Sequence, residues 1–89
     1  MKQTGTILIV DDEEDILITL KIFLKQHFER IFTESNPQHL PRLLRQYEPD
    51  VVLLDMNFRK GDTSGEEGLQ WLQKTLEIKP GIQVIMITA

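Results

Sequence analysis

Cysteine is absent from the 89 residues, which excludes a disulfide framework, a thiolate nucleophile and a thiolate metal site. Any metal held here has oxygen ligands. Histidine is scarce as well: His27 and His39 stand singly in helical settings without partner spacing and read as solvated or half-packed, with no assigned role. Long apolar runs are missing, since none approaches the roughly 20 residues of a membrane span. The start, Met1 to Gly5, has one basic residue and leads into a run too short for a signal peptide, so a cytoplasmic chain is expected. Basic clusters are lacking too. Lys and Arg number 10 against 14 Asp and Glu, a net charge of -4, and apart from Arg59-Lys60 they are spread singly, which argues against nucleic-acid binding by this segment. The glycines Gly61, Gly65 and Gly68 have neither the spacing nor the following Lys-Ser/Thr of a phosphate-binding loop.

What is present is an alternation of elements. An apolar fraction of 40% with 27% charged residues is that of one ordinary globular domain. Thr6 to Val10 is a β-branched apolar run of strand length, of the kind found in a parallel sheet covered on both faces. From Glu14 to about His27, Ile16, Leu17, Leu20, Phe23, Leu24 and Phe28 mark one face of a first helix. A short strand is predicted over Arg30 to Thr33. Asn36-Pro37 then opens a second helix, continued by Leu40, Leu43, Leu44 and Tyr47 and closed by Pro49. Asp50 to Leu54 is a second strongly apolar strand, followed by Asp55 and a polar loop from Met56 to Gly68. Leu69, Leu72 and Leu76 mark a third helix, beside which Trp71 packs. Pro80-Gly81 stops it before a fourth strand, Ile82 to Ile87. The order implies a doubly wound parallel α/β sheet with right-handed crossovers, whose functional crevice lies beyond the carboxyl ends of the strands.

Asp11, Asp12, Asp55 and Thr88 all stand at such ends. Taken alone, the acids from Asp11 to Asp15 could simply favour a helix N-terminus, where each gains roughly 0.3 to 1 kcal/mol. With Asp55 and Thr88 after two further strands, a shared site is the better reading. Two carboxylates about 4 Å apart repel by roughly 4 kcal/mol at an effective dielectric near 20, and a divalent cation reverses that sign. All-oxygen ligands suit Mg²⁺ or Mn²⁺. An aspartate can itself attack phosphorus, forming an acyl phosphate, and a threonine hydroxyl can donate to a phosphoryl oxygen.

Through "ILIVDDEEDI", "PDVVLLDMNF", "GLQWLQK" and "VIMITA" the chain resembles, along its whole length, the receiver domain of bacterial two-component response regulators. The resemblance implies a flavodoxin-like fold, phosphorylation of Asp55 by a sensor histidine kinase, and Thr88 as the switch residue that turns toward the phosphoryl group. It also implies Mg²⁺ bound by Asp12 directly, by Asp11 through water, by Asp55, and by the backbone carbonyl of Asn57. Arg59 and Thr63 stand where receivers commonly carry a proline and a glycine. If Gly68 is the matching glycine, the loop is longer than usual, as in receivers attached to AAA+ activators of transcription. The sequence ends before the family's phosphate-binding lysine. The expectation is therefore the N-terminal part of a single receiver domain over 1–89, with four strands in order 2-1-3-4, three helices and its output domain outside the chain. Two consequences are expected of such a chain: poor labelling by phosphodonors and self-association through the fourth strand. The competing function is a pseudo-receiver, an interaction module that transfers no phosphate.

Overall fold

A computed structural model describes residues 5–56 and 66–87. The strands β1 (Thr6–Val10), β2 (Arg30–Glu34), β3 (Val51–Asp55) and β4 (Gln83–Ile87) form one parallel sheet in the order β2-β1-β3-β4, as expected from the sequence. Val10 lies opposite Glu34 on one side and opposite Leu54 on the other. This register sets the ends of three strands level. Each strand needs a crossover to run parallel to its neighbour. The connections are α1 (Glu14–Leu24), α2 (Leu40–Tyr47) and α3 (Glu66–Ile78).

Alternation along the strands divides the core in two. Leu8, Val10, Val52 and Leu54 point to the face covered by α2 and α3, where Leu40, Leu43 and Leu44 are buried beside Trp71 and Leu72. Phe32 and Tyr47 stack there with ring centroids 3.8 Å apart. Ile7, Ile9 and Leu53 point to the opposite face, under Leu17, Leu20, Leu24 and Phe28. Burial on both faces explains why β1 and β3 are continuous apolar runs.

Several expectations need correction. The first helix ends at Leu24, where Lys25 N–H donates to the Ile22 carbonyl and tightens the last turn. Phe23 is 71% exposed, because the helix seats Leu17, Leu20 and Leu24 and leaves Phe23 on the flank. The second helix is broken into a 3₁₀ turn, Pro37–His39, and α2. Asn36 caps that turn by accepting the Gln38 N–H at 2.9 Å, with Pro37 at the first helical position. Asp55 belongs to β3 itself, and α3 begins at Glu66, two residues before the expected end of the loop. On α3 the buried residues are Gly68 and Thr75, while Leu69 and Leu76 are exposed. Gly68 lies against the Met56 main chain, where a Cβ would clash, and the buried Thr75 hydroxyl donates to the Trp71 carbonyl at 2.8 Å.

Candidate functional site

In the order β2-β1-β3-β4 the chain leaves β1 for one side and returns to the other, so the crevice opens between the ends of β1 and β3. Asp11 and Asp12 follow β1 directly, and Asp55 closes β3. Carboxylate oxygens of Asp11, Asp12 and Asp55 lie within 4.8 Å of one another. Asp11 and Asp55 are buried, whereas Asp12 is exposed. Two acids are thus set into the crevice floor and the third stands at its mouth, open to solvent and to an incoming ligand.

The floor is held by main-chain bonds. Asp11 N–H donates to the Glu34 carbonyl at 3.1 Å, and one Asp11 carboxylate oxygen accepts the Glu13 N–H at 2.9 Å. Beyond Asp55, Met56 N–H donates to the Ile87 carbonyl and the Met56 carbonyl accepts the Gly68 N–H, both at 3.0 Å. The residue after Asp55 is therefore fixed between β4 and the start of α3.

The electrostatics record the crowding. Burial pushes the Asp11 carboxyl up from 3.8 to about 6; the Glu13 N–H opposes the rise, and the charges of Asp55, Asp12 and Glu13 add to it. A buried carboxylate among like charges favours its neutral form until a cation arrives. The donor set is wholly oxygen, with three carboxylates available, which fits Mg²⁺.

Of the residues read from sequence, Asp11, Asp12 and Asp55 come together as expected. Asn57 and Thr88 lie outside the described residues, as does most of the loop that carries Arg59 and Thr63. Sequence reasoning missed Glu34, whose carbonyl anchors Asp11, and the main chain of Met56. Neither has a side-chain signature, since a backbone carbonyl is common to every residue.

Residues 7–89 match the response regulator receiver domain family. The chain is 32% identical over 84 residues to a protein-glutamate methylesterase/protein-glutamine glutaminase of Burkholderia thailandensis, a match over 92% of this chain and 22% of that protein. By structure it is similar to the N-terminal signal receiver domain of a two-component response regulator from Bacteroides fragilis, with a TM-score of 0.80, 38% identity, and coverage of 96% of this chain and 65% of the other. It is also similar to the response regulator MaeR bound to beryllium trifluoride, with a TM-score of 0.78, 26% identity, and coverage of 96% and 67%. The chain thus spans about two thirds of the solved receivers and about a fifth of the methylesterase.

Proposed function

This chain belongs to the response regulator receiver domain family, and from that membership we propose that Asp55 accepts a phosphoryl group from the phosphohistidine of a sensor kinase. The observation that carries the reading is the meeting of Asp11, Asp12 and Asp55 within 4.8 Å at the mouth of the sheet. Receiver domains are signalling domains, and the proposed activity is that of a switch.

In this reading an Asp55 carboxylate oxygen attacks phosphorus, the P–N bond to histidine breaks, and an acyl phosphate forms. Mg²⁺ would be held by Asp12 directly, by Asp11 through water, by Asp55 and by the Asn57 carbonyl. The ion, when bound, neutralises charge on the transferring oxygens. Burial of Asp55 at the end of a paired strand keeps the nucleophile in one orientation. Thr88, one residue after β4, supplies a hydroxyl to the phosphoryl group. The response regulator MaeR is bound to beryllium trifluoride, whose three fluorides around one centre give it about the size of a phosphoryl group, and this supports phosphoryl acceptance as the activity of this chain.

The share of the solved receivers that is spanned supports taking 1–89 as the N-terminal part of a single receiver domain. An output domain, transcriptional in kind, is proposed to lie outside these residues. No helix among the described residues is long and apolar enough to cross a membrane.

Mg²⁺ titration by calorimetry or NMR tests the site. The chain should bind Mg²⁺ and Asp12→Ala should bind it at least ten-fold more weakly; equal affinities would sink the assignment.

A further inference from the structure

The Glu34 carboxylate folds back over the chain that follows it. One of its oxygens, Oε2, accepts the Asn36 N–H at 3.0 Å, and the other, Oε1, lies 3.1 Å from Nδ1 of His39. Burial opposes the charge, yet the Asn36 N–H, the His39 side chain and the Ser35 N–H together hold the carboxyl below its ordinary value. The same residue, through its main chain, accepts the Asp11 N–H at 3.1 Å. Glu34 therefore has two separate duties. Its side chain ties the end of β2 to the start of α2, and its carbonyl ties β2 to the first residue of the acidic cluster.

The connection between these duties is short. His39 is the last residue of the 3₁₀ turn and the first flanking residue of α2, so its contact with Glu34 closes the loop from residue 34 to residue 39. The Asn36 carbonyl accepts the His39 N–H at 3.1 Å inside that loop. With the loop closed, the peptide plane after Glu34 has one orientation, and its oxygen faces Asp11. Among the described residues, Asp11 is placed by the bond from its main-chain N–H to the Glu34 carbonyl and by the Glu13 N–H donated to its Oδ1.

We propose that Glu34 and His39 are positioning residues of the acidic site, their side-chain contact fixing the end of β2 and, through the Glu34 carbonyl, the place of Asp11. The proposal rests on the reading of the cluster as a Mg²⁺ site. Partners beyond the direct ligands orient those ligands, and losing one lowers metal affinity without removing the ion's contacts. His39 is half-exposed, so it can be changed without opening the core.

Hydrogen exchange at the Asp11 amide, measured without metal, and Mg²⁺ affinity together test this. Removing one hydrogen bond's net contribution should speed Asp11 exchange about 3- to 10-fold in His39→Ala and Glu34→Ala, and weaken Mg²⁺ binding by a similar factor. Amides of β3 should keep their protection. His39→Asn, whose side-chain amide can replace Nδ1 as a donor, should restore both readings. Unchanged Asp11 exchange in the alanine variants, equal acceleration across β3, no rescue by asparagine, or faster exchange with unaltered Mg²⁺ affinity would each overturn the proposal. Asp12→Ala run in parallel judges the metal reading separately. If that variant binds Mg²⁺ as well as the parent, or the parent binds none, the metal reading fails, and the Asp11 amide alone decides whether Glu34 and His39 hold the strand end.

Discussion

Gly68 and Met56 touch backbone to backbone: the Gly68 N–H donates to the Met56 carbonyl at 3.0 Å, and a Cβ built on Gly68 would lie 2.7 Å from the Met56 carbonyl carbon. The contact brings the start of α3 onto the residue that follows Asp55, where any side chain would push it away.

Gly68→Ala sets two effects against each other. Alanine favours a helix over glycine by about 1 kcal/mol. Overpacking against a neighbour that cannot move costs typically about 1–3 kcal/mol, and the neighbour here is main chain. The clash should win. Urea unfolding should show a net loss of up to about 2 kcal/mol, accompanied by weaker Mg²⁺ binding; a gain in stability would mean that the helix start is free to shift.

Asp11 makes stability depend on pH in an unusual direction. Its folded value of about 6 lies above the ordinary 3.8, so between those limits the folded chain holds more protons than the unfolded one. Stability contributed by this group therefore falls as pH rises from about 4 to 6, by on the order of 2–3 kcal/mol. Glu34, held low, acts oppositely: its contribution is present above the ordinary carboxylate range and is lost as pH falls through its folded value. Asp11→Asn keeps an acceptor for the Glu13 N–H but removes the charge. Thermal unfolding at pH 7 without metal should show the variant more stable than the parent, and the parent's excess slope between pH 4 and 6 should vanish. A variant less stable than the parent at pH 7 would contradict this.

Strand β4 has no outer neighbour among the described residues, and Ile85 on it is 52% exposed. Leu69 and Leu76 on α3 are also exposed. An apolar strand edge of this kind pairs readily with another chain. The 89-residue chain should self-associate with rising concentration, and Ile85→Lys should reduce it. Light scattering that reports a monomer at every concentration, for parent and variant alike, would exclude association through this edge.

Much of this could be read from the residues. Four-residue apolar runs ending in acids, at "ILIVDD" and "VVLLD", carry both strand and site, because a strand buried on two faces admits no polar residue until it reaches the crevice. Facing was less legible. Phe23 on α1 fits a helical period and is exposed, and on α3 Leu69 and Leu76 are exposed while Gly68 and Thr75 are buried, since a close approach such as that of Gly68 to the Met56 main chain selects for size as well as apolarity. His39 looked solitary because its partner, Glu34, is brought to it only by the turn between them. Tight turns place side chains in ways that no periodicity announces.

The central claim is that Asp55 is a phosphoacceptor, and acetyl phosphate labelling read by intact-mass spectrometry tests it most directly. In a receiver that carries this sequence at the length of its solved relatives, with Mg²⁺ present, one phosphoryl adduct should form. Chelation of the metal should suppress it, and Asp55→Asn should abolish it, since an amide is a poor nucleophile toward phosphorus. An adduct that persists in Asp55→Asn would move the nucleophile elsewhere, and no adduct on the parent at saturating Mg²⁺ would make this domain an interaction module that transfers no phosphate.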